Sequence, residues 1–155
     1  PNRLELFQIW LNLPARSKFA APYFTMLWDR QVPRLQSADE RGLQTEITVF
    51  AGALGELRPP APPPDSWAAN ADADVAIWSI VLPAGARWTL PAARDRRTAR
   101  TLYFFSGSVL QLDERVVNEH GAIEIVADRA VRLAAYSSAM TKGPASSTKR
   151  SPLSQ

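Results

Sequence analysis

Apolar residues recur along this chain mainly at every second position, in short runs, which is the period of half-buried β-strands. Residues 4–13 open with such a run. Phe7, Ile9, Leu11 and Leu13 share one face, while Gln8 and Asn12 interrupt the other. Pro14 ends it, because proline has no N–H to give a sheet ladder. Residues 14–43 hold no sustained period. They carry Phe19, Tyr23, Phe24, Met26, Leu27 and Trp28, punctuated by Pro22 and Pro33. They read as an extended connector that lies on a surface and buries its aromatics there, ending in a polar turn at residues 37–42.

Strand periods then follow at 46–50, 74–82, 86–90, 101–105, 109–112, 115–117, 122–126 and 131–135. Gly-, Pro-, Asp- and Asn-bearing turns separate them. The run at 74–82 is apolar on both faces and is expected to be buried on both sides. Short strands at roughly ten-residue spacing, with no helix-period segment among them, predict an all-β sandwich or barrel. The proline-rich run at 59–64 is expected to be a stiff loop within the fold, with a ligand for a proline-binding groove as the sharper alternative. From residue 137 onward Ser, Thr, Lys, Gly and Pro dominate, so a disordered tail is expected.

Composition changes this picture little. The 155 residues suffice for one domain with a core. There is no cysteine, which removes disulfides, thiolate metal sites and a cysteine nucleophile. That fits a reducing compartment, and a cytoplasmic location is expected. The net charge of +3 comes from Lys142, Lys149 and Arg150. Without them the chain balances at 15 bases and 15 acids, which argues against a nucleic-acid-binding body. No apolar run is long enough to span a membrane as a helix.

Candidate chemistry is sparse. His120 is the single histidine, and one imidazole cannot build a non-haem iron site. Its place between two short strands predicts an exposed turn residue. Neither Ser106 nor Ser108 sits in a nucleophile elbow, and no phosphate-binding glycine loop occurs. Arg94, Arg96, Arg97 and Arg100 form the densest charge cluster, either a solvated loop or a clamp for a carboxylate or phosphate. Of the five tryptophans, several are expected in the core or in a docking surface.

The stretch Leu6-Phe7-Gln8-Ile9-Trp10-Leu11-Asn12-Leu13-Pro14-Ala15 resembles a signature segment of the pirin family. Residues 18–33 look like the connector of that family, and residues 48–55 are similar to the strand and turn that open its second domain. Residues 82–86 and 102–107 resemble the two halves of a cupin first motif. Pirins are bicupins, so the resemblance implies a cupin-type jelly roll. It also implies an N-terminal barrel that binds Fe(II) through three histidines and a glutamate, all upstream of the signature segment. Some members show quercetin 2,3-dioxygenase activity, and some bind transcription regulators. Where a metal-binding cupin carries His-x-His, this chain has Trp88, Thr89 and Leu90. Where it carries the following glutamate, this chain has Arg100. After Tyr136 the family's closing run is missing, so the last barrel strand and terminal helix are expected to be absent through truncation, frameshift or divergence.

The expected organisation is therefore residues 1–13 as the closing strand of an absent N-terminal cupin barrel, 14–43 as connector, 44–136 as an incomplete C-terminal cupin domain and 137–155 as tail. No metal is expected in this chain, and Fe(II) is expected in the absent half. Phe7, Trp10, Phe24 and Trp28 are the expected interface to that half or to a second copy. Regulatory protein partners follow by resemblance. Three functions compete: an iron-dependent, dioxygenase-like or redox-linked protein seen without its metal half, a non-catalytic interaction module, and a small-molecule binder using Arg100 and Trp88 at the barrel mouth. The Ala-, Arg- and Pro-rich composition suggests a GC-rich bacterial source.

Overall fold

The computed structural model describes residues 4–137. The tail expected over residues 137–155 lies outside those residues from 138 onward. The described chain is all-β, with helical turns of only three residues at Ala15–Ser17, Asp29–Gln31, Trp67–Ala69 and Ala71–Ala73. Nine strands form: β1 (Arg34–Ala38), β2 (Gln44–Ala51), β3 (Ile77–Val81), β4 (Arg87–Leu90), β5 (Arg100–Phe104), β6 (Val109–Leu112), β7 (Arg115–Val117), β8 (Gly121–Ile125) and β9 (Val131–Tyr136).

The pairings are all antiparallel, and three of them nest: β6 with β7, β5 with β8, and β4 with β9. β6 also pairs β9, giving a four-stranded sheet in the order β4-β9-β6-β7. Such nesting is what rolling one long hairpin into two facing sheets produces, the jelly-roll arrangement of cupins. The remaining strands form a sheet β1-β2-β3 and a ladder β5-β8. The result is a cupin-like β-sandwich whose sheets do not close.

Leu90, Phe104, Leu110, Leu112, Ile123, Val131 and Leu133 make the buried cluster between these sheets. Trp78, Ile80, Trp88 and Leu102 pack against it while only partly buried. The both-sided apolar run at 74–82 is therefore half-buried rather than enclosed, since every residue of β3 keeps part of its surface exposed. Ile47 and Val49 of β2 are fully buried. Gly52 follows a register shift between Val49 and Ala51. Its φ is +71°, and a Cβ there would meet Val75 O at 2.5 Å, so this crossing needs glycine.

Two expectations fail. Residues 4–13 form no strand, despite their alternating pattern. Alternation chooses a face, but a strand exists only where a neighbour completes its ladder, and none among the described residues does. The connector also differs. It contains β1, whose polar sequence Arg-Leu-Gln-Ser-Ala hides it, held by pairing with β2 from Arg34↔Thr48 to Ala38↔Gln44. Its aromatics are exposed, Phe19 fully so. The proline run at 59–64 is largely half-buried, as a loop laid against the fold would be.

Two aspartates join separate elements here. Asp39 accepts from the Arg41 and Leu43 amides in its own hairpin, and from the Arg87 amide at the start of β4. Burial raises its pKa, but those backbone donors outweigh burial and hold it below the usual carboxylate value. Asp113 accepts from the Arg132 amide of β9, and that bond carries its pKa downward against burial. Both carboxylates are thus better proton donors folded than unfolded. Their stabilisation is full above the unfolded pKa of about 4 and is lost as pH falls through the lower folded value. The urea midpoint should therefore drop as pH is lowered below about 4, and Asp39→Asn or Asp113→Asn should flatten that drop. A midpoint independent of pH in this range would refute the role. Ile47→Ala should cost about 2–5 kcal/mol at neutral pH by urea unfolding.

Candidate functional site

The cupin ligand positions come first. Trp88 and Leu90 lie on β4 at alternate positions and so share a face. Leu90 is core, and Trp88 packs against the same cluster. Arg100 opens β5. Its Nη1 is buried with no hydrogen-bond partner among the described residues. Burial lowers its pKa from the ordinary guanidinium value, and the charge of Asp74 acts the other way. Two hydrocarbon walls and a cation cannot hold Fe(II), which needs neutral nitrogen donors and an anion. The family's iron does not fit here. Among the described residues no three His, Asp or Glu side chains converge as a metal site would require.

His120 sits in the turn before β8, exposed as the spacing predicts. Its ring stands edge-on to Phe104 at 5.0 Å and 86°, and Nε2–H donates to Gly107 O at 2.8 Å. The contacts tie the turn before β8 to the end of β5 and to the turn that follows it.

The arginine loop is ordered from within. Asp95 takes a bidentate contact from Arg97, with Nη2 at 2.6 Å, and this holds its pKa down to about 2. Asp74 Oδ2 accepts from the Arg94 and Asp95 amides and from Thr98 Oγ1. Arg94 Nη1 reaches Ala71 O at 3.0 Å. Arg97 thus spends donors on Asp95 inside the loop, and Arg94 spends one on Ala71 outside it.

Two hollows stand out, and neither is lined by Arg100 or Trp88. One, of about 210 Å³, lies between Arg16-Ser17 and residues 64–70. The other, of about 540 Å³, is an open cleft among the β6–β7 turn, β8 and the start of β9. Arg115, Arg129 and Arg132 line it with Asp113, Glu114 and Glu124. Arg129 and Arg132 are already paired to Asp113 at 3.8 and 3.4 Å. Sequence reading missed this cleft, because the β6–β7 turn, β8 and the start of β9 supply it together and no spacing links them.

The most distinctive surface is apolar and N-terminal. Trp10 is 84% exposed and Phe24 83%, and Trp28 and Phe7 are more than half exposed. Phe7 touches Phe105, with ring centroids 4.6 Å apart. The four residues expected at an interface are thus all accessible, on one run of chain. Large aromatic side chains exposed in this way suit a surface that meets a partner.

No family model matches the chain, and no solved structure matches it. Curated relatives do. Two Pseudomonas aeruginosa proteins, both named "Putative quercetin 2,3-dioxygenase", are 32% identical over 96 residues and 30% identical over 135 residues. Those alignments cover 62% and 82% of this chain but 30% and 39% of the relatives. A Caulobacter vibrioides protein named "Pirin-like protein" is 26% identical over 102 residues, 66% of this chain and 33% of its own length. The chain spans about a third of the length of these relatives.

Arg100 can be tested directly. Arg100→Met removes a charge that has lost water without gaining a partner, so the thermal midpoint should hold or rise. If Arg100 instead clamps a carboxylate, benzoate or a flavonoid should raise the wild-type midpoint, and Arg100→Met should abolish that rise.

The sequence matches, the all-β sandwich and the nested strand pairs agree: this chain resembles the pirin branch of the cupin proteins.

Proposed function

We propose that this chain is the non-metal-binding cupin half of a pirin-like bicupin, whose other half holds Fe(II). Quercetin 2,3-dioxygenase-like activity, or redox-linked regulation through a protein partner, would then belong to the two halves together. The observation that carries this reading is the signature stretch itself. Residues 6–15, the segment most like the pirin family, expose Leu6, Ile9, Trp10 and Leu11 and join no sheet. An apolar segment of that kind is suited to a second domain.

The ligand positions support the division of labour. Trp88, Leu90 and Arg100 leave this half without iron chemistry, so its contribution is structural: it offers a docking face and orients a metal-bearing neighbour. Trp10, Phe24 and Trp28 carry that face, with Phe7 partly committed to Phe105. Aromatics of this size dominate binding energy when a partner covers them. In this reading residues 1–13 lead out of the first barrel and 14–43 connect it to the second, in a cytoplasmic protein.

A second reading, a non-catalytic module that docks on other proteins, rests on the same face. It differs in needing no iron-bearing neighbour.

Metal analysis separates them. The chain alone should retain less than about 0.1 equivalent of iron after anaerobic loading with Fe(II) and desalting, and the longer protein about one. Tight stoichiometric iron on this chain alone would overturn the proposal, and an iron-free longer protein would favour the second reading. Self-association of the chain, followed by light scattering, should weaken about tenfold or more in Trp10→Ser/Phe24→Ser with unchanged far-UV circular dichroism.

A further inference from the structure

Consecutive residues of a strand point to opposite faces, so a hollow that touches several in a row lies beside the strand's edge. The larger cleft touches Ile123, Glu124 and Ile125 of β8 in succession, and then Val126. One edge of β8 is taken by β5, from Arg100↔Ile125 to Phe104↔Gly121. Among the described residues the other edge has no ladder partner. The cleft therefore runs along the free edge of β8, where amides and carbonyls stand open to a new strand.

The walls suit such a strand. Ile123 is buried and Glu124 exposed, so the inner side of the edge is apolar and the outer side carries a carboxylate. Leu112, Val126 and Val131 extend the apolar side, and Val126 is 48% exposed. One residue of a strand fills about 160 Å³ at ordinary rise, strand spacing and sheet thickness. A cleft of about 540 Å³ thus holds about three residues of extended chain. Backbone hydrogen bonds along the edge supply affinity in this mode, and alternate side chains supply specificity.

Charge identifies the occupant. Asp113 pairs with Arg129 and Arg132 at 3.8 and 3.4 Å, and Glu114 reaches Arg132 at 3.5 Å. Those four groups are matched within the cleft. Arg115 lines it too, is exposed, and makes no ion pair among the described residues. Its backbone is held opposite Leu112 across the two-residue turn Asp113-Glu114, which keeps the side chain at the rim. Glu124 also lacks an ion-pair partner among the described residues, on the outer side of β8. An occupant that uses both groups brings a carboxylate to Arg115 and a cation beside Glu124, since opposite charges across a ladder attract.

We infer that the free edge of β8 is a peptide-binding edge. It adds a short extended segment of a partner protein, apolar at alternate positions, with a basic residue beside Glu124 and a carboxylate on Arg115. This goes beyond the proposed function, because it uses neither the N-terminal aromatics nor a metal.

Two fluorescent octapeptides with blocked termini test it on the full chain. Each has six residues of alternating valine and lysine; one is flanked at both ends by glutamate, the other by glutamine. By fluorescence anisotropy the glutamate peptide should bind about tenfold or more tightly than the glutamine peptide. Arg115→Gln, at an exposed position, should erase that difference with unchanged far-UV circular dichroism, and Glu124→Gln should weaken both peptides alike. Bound glutamate peptide should slow amide exchange within residues 121–126 by about tenfold or more. Methylating alternate backbone amides of that peptide should abolish binding in one register and spare it in the other. Binding of neither peptide, equal binding of both, unchanged exchange at 121–126, or indifference to methylation would each overturn the inference. Displacement of the peptide by an equal concentration of succinate would overturn it as well, in favour of a site for small carboxylates. Iron content enters none of these readouts, so failure here leaves the proposed function standing.

Discussion

A β-strand has two edges, and each amide and carbonyl along them needs a partner or water. That requirement organises this protein more than any single contact. Where both edges are met, as for β6 and β9, the core is dense and Leu110, Leu112, Val131 and Leu133 are buried. Where one edge is open, as for β3, burial becomes partial along the whole strand. Ladder completion is not the whole account, since Leu90 on the edge strand β4 and Phe104 and Ile123 on the open-edged β5–β8 ladder are buried as well.

Because the sheets do not close, hydrogen bonds outside the ladders must hold them in register. Three aspartates do much of this. Asp39 links the β1–β2 hairpin to β4, Asp74 links the approach to β3 with the approach to β5, and Asp113 links the β6–β7 turn to β9. Asp74 and Asp113 take positive φ values of 49° and 48°, which aspartate tolerates better than most residues. Each carboxylate accepts from backbone amides, whose positions are fixed, so each sets a distance between elements more firmly than an exposed ion pair would. The arginines nearby add charge but little geometry.

Much of this fold is legible in the sequence because turn chemistry and alternation agree from residue 86 to residue 136. The strands β6 and β7 begin and end where Asp113-Glu114 and the flanking apolar pairs place them. The failures share one cause. Residues 4–13 alternate well yet form no strand, and Arg34–Ala38 alternates poorly yet forms one. In both cases the deciding factor is a neighbour distant in sequence, which no local pattern encodes. The site was legible in the same uneven way. His120 as a turn residue and the unsuited ligand positions can be read from residue type alone. The cleft at Arg115, Arg129 and Arg132 cannot, since it exists only once the β6–β7 turn meets β8 and the start of β9.

Residue type at the cupin ligand positions decides how the interior of this sandwich packs. A metal-binding barrel must keep its interior polar and partly open, at a cost in packing. With Trp88 and Leu90 turned to the core cluster, this barrel packs its interior instead. Arg100 marks the limit of that conversion: it remains charged, half-buried and short of acceptors.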